Sequence, residues 1–376
     1  MLKHKPLKKK NFRPIVVVGN GSIGVAENDR LFISNHTGDL LRQLKSRGYT
    51  PTYMAPASLY DSNSDLLNFD LNQFGIRSSV LNKDNLFGLV RVLCSEIWKT
   101  RFIYIFYPGT IGMIVALLCL LFRKPYGLYV RGGRYNQSWL SRLFIRSASF
   151  ILTVSPSIEN ELQFYCKNVL TIRPMTSIDE SDRLNRPVMQ VAPSYWRGLF
   201  VGNLCVSKGI RELIDAATIL HSEQFPFQLT LVGGGELYEE LSKWLPSSPL
   251  SRNIKLAGLI SNKNKLMSEY KKADFFILPT YHEGFPRVLY EAMINSLPII
   301  TTMVGGIPGR MENEKNCIAI DVKSSAAIVS AIKQLVGDLT LYNTIGRDGQ
   351  NTVLNVLSMS RGHDDLLCKF LEELKC

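Results

Sequence analysis

Residues 273–293 read ADFFILPTYHEGFPRVLYEAM. A strand, a loop and a helix start follow one another inside this short stretch. Phe275, Phe276, Ile277 and Leu278 form an apolar run of strand length, and YHEGFP breaks it with glycine and proline. Pro286 suits the first helical position, where a missing N–H costs nothing. Val288, Leu289, Ala292 and Met293 then fall on one helical face. Glu283 sits in the loop ahead of the helix and Glu291 about one and a half turns inside it. Two acids around a turn are unexpected in a chain that carries a net charge of +12.

The same rhythm extends outward in both directions. Downstream and upstream lie GLFVGN at 198, FQLTLVGGG at 227, NIKLAG at 253, LPIITT at 297 and NCIAID at 316, with SKGIRELIDAATILHSE as an intervening helix. Earlier come IVVVG at 15, FIYIFY at 102, YGLYV at 126, FILTVS at 150 and NVLTI at 168. Between them GDLLRQLKSRGY (38–49) places Leu40, Leu41 and Leu44 on one face. Strands alternating with helices predict a parallel, doubly wound α/β sheet. The alternation stops at 177–197, rich in charge and proline, which reads as a linker. Two such domains in tandem are expected to leave a cleft beyond the carboxyl ends of both sheets, where ligands of this architecture bind.

Composition is compatible with this. A chain of 376 residues accommodates two cores, and 20% charged with 45% hydrophobic residues is ordinary for a folded globular protein. Seven cysteines without CxxC or His-paired spacing suit a reducing compartment and show no metal cluster. No secretory signal is apparent, because IVVVG is too short for its apolar region. Residues 1–13 hold Lys3, Lys5, Lys8, Lys9, Lys10 and Arg13 without an acid. Such an arm is either a solvated tail or a contact for a polyanion, anionic lipid foremost. Ile111–Phe122 is uncharged over twelve residues, short of the ~20 that a bilayer crossing needs. A helix apolar on all sides is normally buried, so this reads as a core helix in preference to a membrane-dipping segment.

The residues at the strand ends suggest a ligand. Backbone N–H groups in the first turn after Pro286 favour an anion. Carboxylates such as Glu283 and Glu291 accept paired hydrogen bonds from vicinal hydroxyls. The bland alternative is a surface ladder, since Glu283, Arg287 and Glu291 are spaced i, i+4. Lys208 lies six residues past the strand-end Gly202, ahead of a helix. It is either a solvated lysine or the cation that neutralises a diphosphate leaving group.

These segments, FVGN…SKG…LIDAATIL, LTLVGGGE, IKLAGLI, ADFFILPTYHEGFPRVLYEAM and PIITTMVGGIP, resemble the retaining glycosyltransferases of family four over roughly 197–322. The Glu-x7-Glu signature of that family is met by Glu283 and Glu291 between strand and helix. The resemblance implies the GT-B fold: two Rossmann-like doubly wound parallel-sheet domains facing a central cleft. The expected organisation is a basic arm (1–13), an N-terminal acceptor-side domain (14–176), a linker (177–197) and a C-terminal donor domain (198–360). A C-terminal helix (361–376) is expected to pack back on the first domain.

Carried over residue by residue, the resemblance makes Glu283 and Lys208 the catalytic candidates. Glu283 would meet hydroxyls of the transferred sugar, and Lys208 would bind diphosphate. Glu291 would bind the nucleotide ribose, with Gly202, Asn203, Gly284, Phe285, Pro286, Arg287 and Val288 as further donor-binding positions. Departures are visible: Asn203 stands where the family usually has Arg, leaving Arg211 or Arg287 as replacement cations. Pro286 replaces a common Gly, Ser296 a usual Gly, and Gly309 a frequent Glu.

The first half resembles the family in pattern alone. Its loop GNGSIG (19–24) offers Gly21, Ser22 and Gly24 to a phosphate or acceptor. It also fits GxGxxG literally, but no helix start follows closely and Asp39 is poorly placed for a ribose. In YVRGGRYN, Arg131 and Arg134 are candidates for a lipid-linked diphosphate acceptor, or for pairing with acids. His36 and His282 read as structural or peripheral.

The leading expectation is a retaining hexosyltransferase of the cytoplasm, peripheral at the inner face of the cell membrane, acting in cell-surface polysaccharide, lipopolysaccharide or capsule assembly. Its donor would be a nucleotide-diphosphate sugar, UDP favoured, and its acceptor lipid-linked or an oligosaccharide. No cofactor, catalytic metal or nucleic-acid partner is expected. The rivals are a Rossmann oxidoreductase using NAD(P)H, a sugar-nucleotide epimerase of GT-B architecture, and a non-catalytic scaffold.

Overall fold

The structure is a computed structural model that describes residues 13–26, 28–59, 69–81, 86–132, 138–173, 178–358 and 362–374. Of the expected basic arm only Arg13 is among them, and Arg134 lies outside. The chain divides into two units: Met1–Thr153 with Glu159–Met175 and Arg361–Cys376, and Val154–Ile158 with Thr176–Ser360.

The first unit runs β1 (Arg13–Val18), β2 (Ile23–Val25), β3 (Leu31–Ile33), α1 (Asn35–Ser46), β4 (Tyr49–Leu59), β5 (Phe69–Asp70), β6 (Arg77–Leu81) and α2 (Leu86–Lys99). It continues through β7 (Phe102–Tyr107), α3 (Thr110–Leu121), β8 (Tyr126–Val130), α4 (Trp139–Ser147), β9 (Phe150–Thr153), α5 (Pro156–Leu162, of which Glu159 onward belongs to this unit) and β10 (Val169–Thr171). Strands β6-β4-β1-β7-β8-β9-β10 form a parallel sheet in that order, and β2, β3 and β5 extend it beside β4. All six residues of β7 and all five of β8 are buried, as parallel strands covered on both faces require. Leu40, Leu41 and Leu44 of α1 are buried as their spacing implies. The long strand β4 escaped the sequence pattern because Pro51 and Pro56 interrupt it, and proline ordinarily argues against an interior strand.

The expectation of a core helix at 111–122 needs correction. Ile111, Val115, Ala116 and Cys119 of α3 are buried, but Leu117 is 44% and Leu121 67% exposed. Only the sheet-facing stripe is covered, so the uniform apolarity is not explained by burial.

The second unit runs β11 (Trp196–Val201), α6 (Ile210–Ser222), β12 (Phe227–Val232), α7 (Tyr238–Trp244), β13 (Ile254–Gly258), α8 (Lys263–Lys272), β14 (Phe275–Leu278) and α9 (Arg287–Ile294). After these come β15 (Ile299–Thr302), β16 (Ile318–Ile320), α10 (Ser325–Gly337) and α11 (Leu339–Ser358). Its six strands are all parallel in the order β13-β12-β11-β14-β15-β16. Numbered within the unit this is 3-2-1-4-5-6, the Rossmann order.

The stretch read as a linker, 177–197, is held against the second unit over its described residues. Arg186 donates to the carbonyls of Tyr270 (2.7 Å), Ala273 (2.8 Å) and Asn295 (2.7 Å). These lie at the carboxyl ends of α8 and α9, where carbonyls lack helical partners. Leu184 N–H reaches Ile294 O at 3.1 Å and Met189 N–H reaches Asn343 Oδ1 at 2.8 Å. Segment 178–197 is therefore part of the second unit's wall.

The final helix, α12 (His363–Glu373), is grouped with the first unit. His363 is buried with its Nε2 2.7 Å from Tyr104 Oη. Phe370 stacks on Phe150 at 4.4 Å, and Arg47, the C-cap of α1, pairs with Asp364 at 2.7 Å and with Asp365.

Candidate active site

In the second unit the chain order reverses between β11 and β14, neighbours in the sheet. Loops leaving the carboxyl ends of such a pair form the ligand crevice of doubly wound sheets. Gly202, Asn203 and Lys208 follow β11, and Glu283 follows β14, so the sequence candidates converge on the switch point.

Lys208 ends a short turn, Val206–Lys208, closed by Gly209 at φ 72°. That left-handed residue must be glycine here: a Cβ would lie 2.2 Å from Pro279 O. Tyr281 N–H donates to Ser207 O at 2.9 Å. The β11 loop is thus pressed directly onto the β14 loop, and the Lys208 ammonium forms an ion pair with the Glu283 carboxylate. The two side chains keep 23% and 17% of their exposure. Burial holds the Lys208 ammonium below the usual lysine range, opposed by the nearby Cys205 thiol.

The Glu283 loop is braced from beneath. Gly306 N–H donates to Glu283 O at 3.3 Å, and a Cβ on Gly305 (φ 58°) would sit 1.8 Å from that oxygen. Thr302 Oγ1 donates to Thr280 O at 2.6 Å. The VGGIP segment is therefore a backbone platform, with glycines where the Glu283 backbone comes closest. Gly309 has a related cause: its Cβ would meet Ser155 Oγ at 2.3 Å and Ser157 N at 2.7 Å. A glutamate at that position would not fit without displacing them.

Helix α9 starts one residue later than expected. Pro286 is the N-cap, with ψ 128°, and Arg287 is the first helical residue. The extended ψ of Pro286 leaves the turn to begin after it. No side chain caps this end, so the first-turn N–H groups of α9 are not consumed by a capping side chain. Phe285 is buried with its ring 4.5 Å from that of Tyr290; Gly284 and Val288 are half-buried and Arg287 is exposed.

Glu291 faces inward, against the expectation that a surface ladder could account for it. It is 9% exposed, and its Oε2 accepts from Tyr270 Oη at 2.8 Å. Burial raises its pKa; the Tyr270 hydroxyl, Arg287 and Lys263 oppose that rise. Asn203 is exposed beside Gly235. Of the proposed replacement cations, Arg211 is engaged with Glu240 at 3.3 Å, whereas Arg287 opens α9 and acts on Glu291.

Sequence reasoning missed two groups. Tyr270 comes from α8, remote in sequence, and nothing in MSEYKKAD marks it. Tyr281 donates to Glu212 Oε1 at 2.6 Å, and burial with that bond pushes the phenol to about 12. This bond fixes the loop between β14 and Glu283 to α6.

The first unit's loop is placed differently. Gly19 abuts Tyr53, Asn20 Nδ2 donates to Pro108 O at 2.7 Å, Gly21 is exposed and Ser22 half-buried. Gly24 lies within β2. The chain continues from this loop as strand, and α1 begins only at Asn35. The helix N-terminus on which a dinucleotide fingerprint depends is absent there. Arg131 is exposed at the end of β8.

Comparison with known proteins agrees with this geometry. Residues 185–352 match the family of glycosyl transferases group 1. The chain is 28% identical over 254 residues to the uncharacterized glycosyltransferase MJ1178 of Methanocaldococcus jannaschii, covering 66% of this chain and 68% of that protein. It is 25% identical over 276 residues to the capsular polysaccharide biosynthesis glycosyltransferase CapM of Staphylococcus aureus, covering 66% and 70%. The solved structure of Anabaena Alr3699/HepE in complex with UDP superposes with TM-score 0.67 at 17% identity, over 97% of this chain and 99% of that one, a likeness of fold. In sequence over 185–352 and in its two Rossmann-like units, this chain resembles the group 1 glycosyltransferases of the GT-B fold.

Proposed function

We propose that the protein transfers a sugar from a nucleotide-diphosphate donor, with retention of anomeric configuration, to a saccharide acceptor in cell-surface polysaccharide assembly. The observation that carries this reading is the convergence of Lys208, Glu283 and the uncapped start of α9 at the switch point between β11 and β14. Donor entry exchanges the Glu283 carboxylate for the diphosphate as the partner of Lys208. The released carboxylate then meets hydroxyls of the sugar. Glu291, held by Tyr270, accepts from the ribose hydroxyls.

In the reaction the bond between the anomeric carbon and the diphosphate oxygen breaks. The bond to the acceptor oxygen forms on the same face. Negative charge grows on the departing diphosphate, where Lys208 and the first-turn N–H groups of α9 stabilise it. The departing phosphate takes the acceptor proton, so no side-chain base is needed. No group of three or more His, Cys, Asp or Glu gathers among the described residues, and the proposed route uses no metal. UDP is the favoured nucleotide, as in the UDP complex of the Anabaena protein. A lipid-linked acceptor at the cytoplasmic face of the membrane fits the role of the relative CapM in capsular polysaccharide biosynthesis.

The test is incubation with UDP-, GDP- and ADP-sugars and a lipid-linked saccharide acceptor, with and without a chelator, reading the new linkage by NMR. Transfer with a retained anomer, insensitive to chelator, is expected. An inverted linkage or a chelator-abolished reaction would overturn the mechanism. Donor turnover without acceptor would favour an epimerase.

A further inference from the structure

The exposed face of α3 contradicts ordinary surface chemistry. A helix packed on a sheet keeps polar residues outward, yet α3 presents Met113, Leu117 and Leu121 at i, i+4 and i+8. Phe122 extends the stripe, and no charged residue occurs from Ile111 to Phe122. Helix α3 touches both α2 and α4, and each adds to the patch. Trp98, at the end of α2, is 70% exposed and lies 6.2 Å from the Phe122 ring. Trp139, which opens α4, is 73% exposed, and Leu140 and Leu143 follow it outward. Contiguous apolar surface of this kind marks an interaction site.

Charge identifies the partner. Between Glu96 and Glu159 the sequence contains no acid and eight basic residues. This is where the net charge outside the N-terminal arm concentrates. Arg101, Arg123 and Arg142 are exposed beside Trp98, Phe122 and Trp139 respectively. Lys124 Nζ is tied to the carbonyls of Trp98 (3.0 Å) and Thr100 (2.9 Å), which fixes the α2 end against the α3 end. A second copy of the chain would bring like charges together across this face. An anionic bilayer satisfies both features: tryptophans and leucines enter the boundary between headgroups and acyl chains while arginines meet lipid phosphates. No helix among the described residues is long and apolar enough to cross a membrane, so the contact is interfacial.

We propose that the outer face of α2, α3 and α4 is a docking surface for an anionic lipid bilayer. It names the contact that the membrane-side reading above leaves unspecified. Lipid binding is read without sugar transfer, so it stands or fails independently of the donor site.

The test is sedimentation of the full chain with phosphatidylcholine vesicles, with and without phosphatidylglycerol. Tryptophan quenching by brominated acyl chains is measured in parallel. Binding to the anionic vesicles is expected, falling with salt, together with quenching that Trp98→Phe and Trp139→Phe jointly remove. Leu117→Glu with Leu121→Glu is expected to weaken binding by about tenfold or more. Unchanged thermal melting and near-ultraviolet circular dichroism verify that this variant is folded. Lys8→Gln, Lys9→Gln and Lys10→Gln are expected to leave the acyl-chain quenching in place. Equal binding by the glutamate variant, or no preference for anionic vesicles, would overturn the proposal. So would capture by a soluble polyanion such as heparin at matched charge without any lipid quenching.

Discussion

Replacing Gly305 by alanine probes the platform beneath Glu283. The new Cβ would stand 1.8 Å from Glu283 O and 3.0 Å from its carbonyl carbon. Both are backbone atoms, so no side chain can rotate away. The loop must yield by about 1 Å to restore a tolerable contact, and displacement of that size at a reacting centre costs on the order of 100-fold in rate. Gly305 is also at φ 58°, where a non-glycine residue costs roughly 1–2 kcal/mol. Gly305→Ala should therefore lower kcat for donor turnover by about two orders of magnitude, with a fall in melting temperature of a few degrees. Gly337→Ala is the control, because nothing lies within 4 Å of its Cβ and α10 simply ends there. A folded Gly305→Ala protein with kcat within about twofold of the parent would refute the view that this contact positions Glu283.

Three further outcomes follow from the same geometry. Lys208→Met should reduce kcat by about 100- to 1,000-fold, the range for loss of one group facing developing charge, while the protein stays folded; unchanged turnover would remove Lys208 from the mechanism. Tyr270→Phe leaves the buried Glu291 carboxylate without its 2.8 Å donor, at a cost of about 1–3 kcal/mol. Its pKa rises further, so the loss of donor affinity on acidification should begin at higher pH than in the parent, as titrations across pH would record. His363 is held at about 3 by burial, against an ordinary 6.5. The folded state thus binds fewer protons than the unfolded state between these values, so this contribution is complete above about 6.5 and is lost as pH falls. From pH 7.5 to 5 the loss is about 2 kcal/mol, measurable by urea unfolding, and His363→Gln should flatten that part of the profile.

Most of the second unit was legible in sequence because each strand is a short apolar run followed directly by its loop. FFIL, PTYHEGFP and RVLYEAM have their structural roles written in consecutive residues. What could not be read were the partners. Tyr270 reaches Glu291 from another helix, and Gly309 is required by Ser155 and Ser157, which are more than 150 positions away. Strand β4 was hidden by two prolines that a parallel sheet accommodates. Helix α3 was misjudged for the opposite reason: its composition implied burial on all sides, and only topology reveals which stripe the sheet covers. GNGSIG met its motif letter by letter and lacked the helix that gives the motif its chemistry.

The central claim is that Glu291 and the α9 start hold a nucleoside diphosphate. Calorimetric titration of the protein with UDP, GDP, ADP and NADH, repeated on Glu291→Ala, tests it most directly. Saturable binding of one nucleoside diphosphate, clearly weakened by the substitution, is the predicted result. Binding of NADH alone, binding indifferent to Glu291→Ala, or no binding by any of the four would contradict the account.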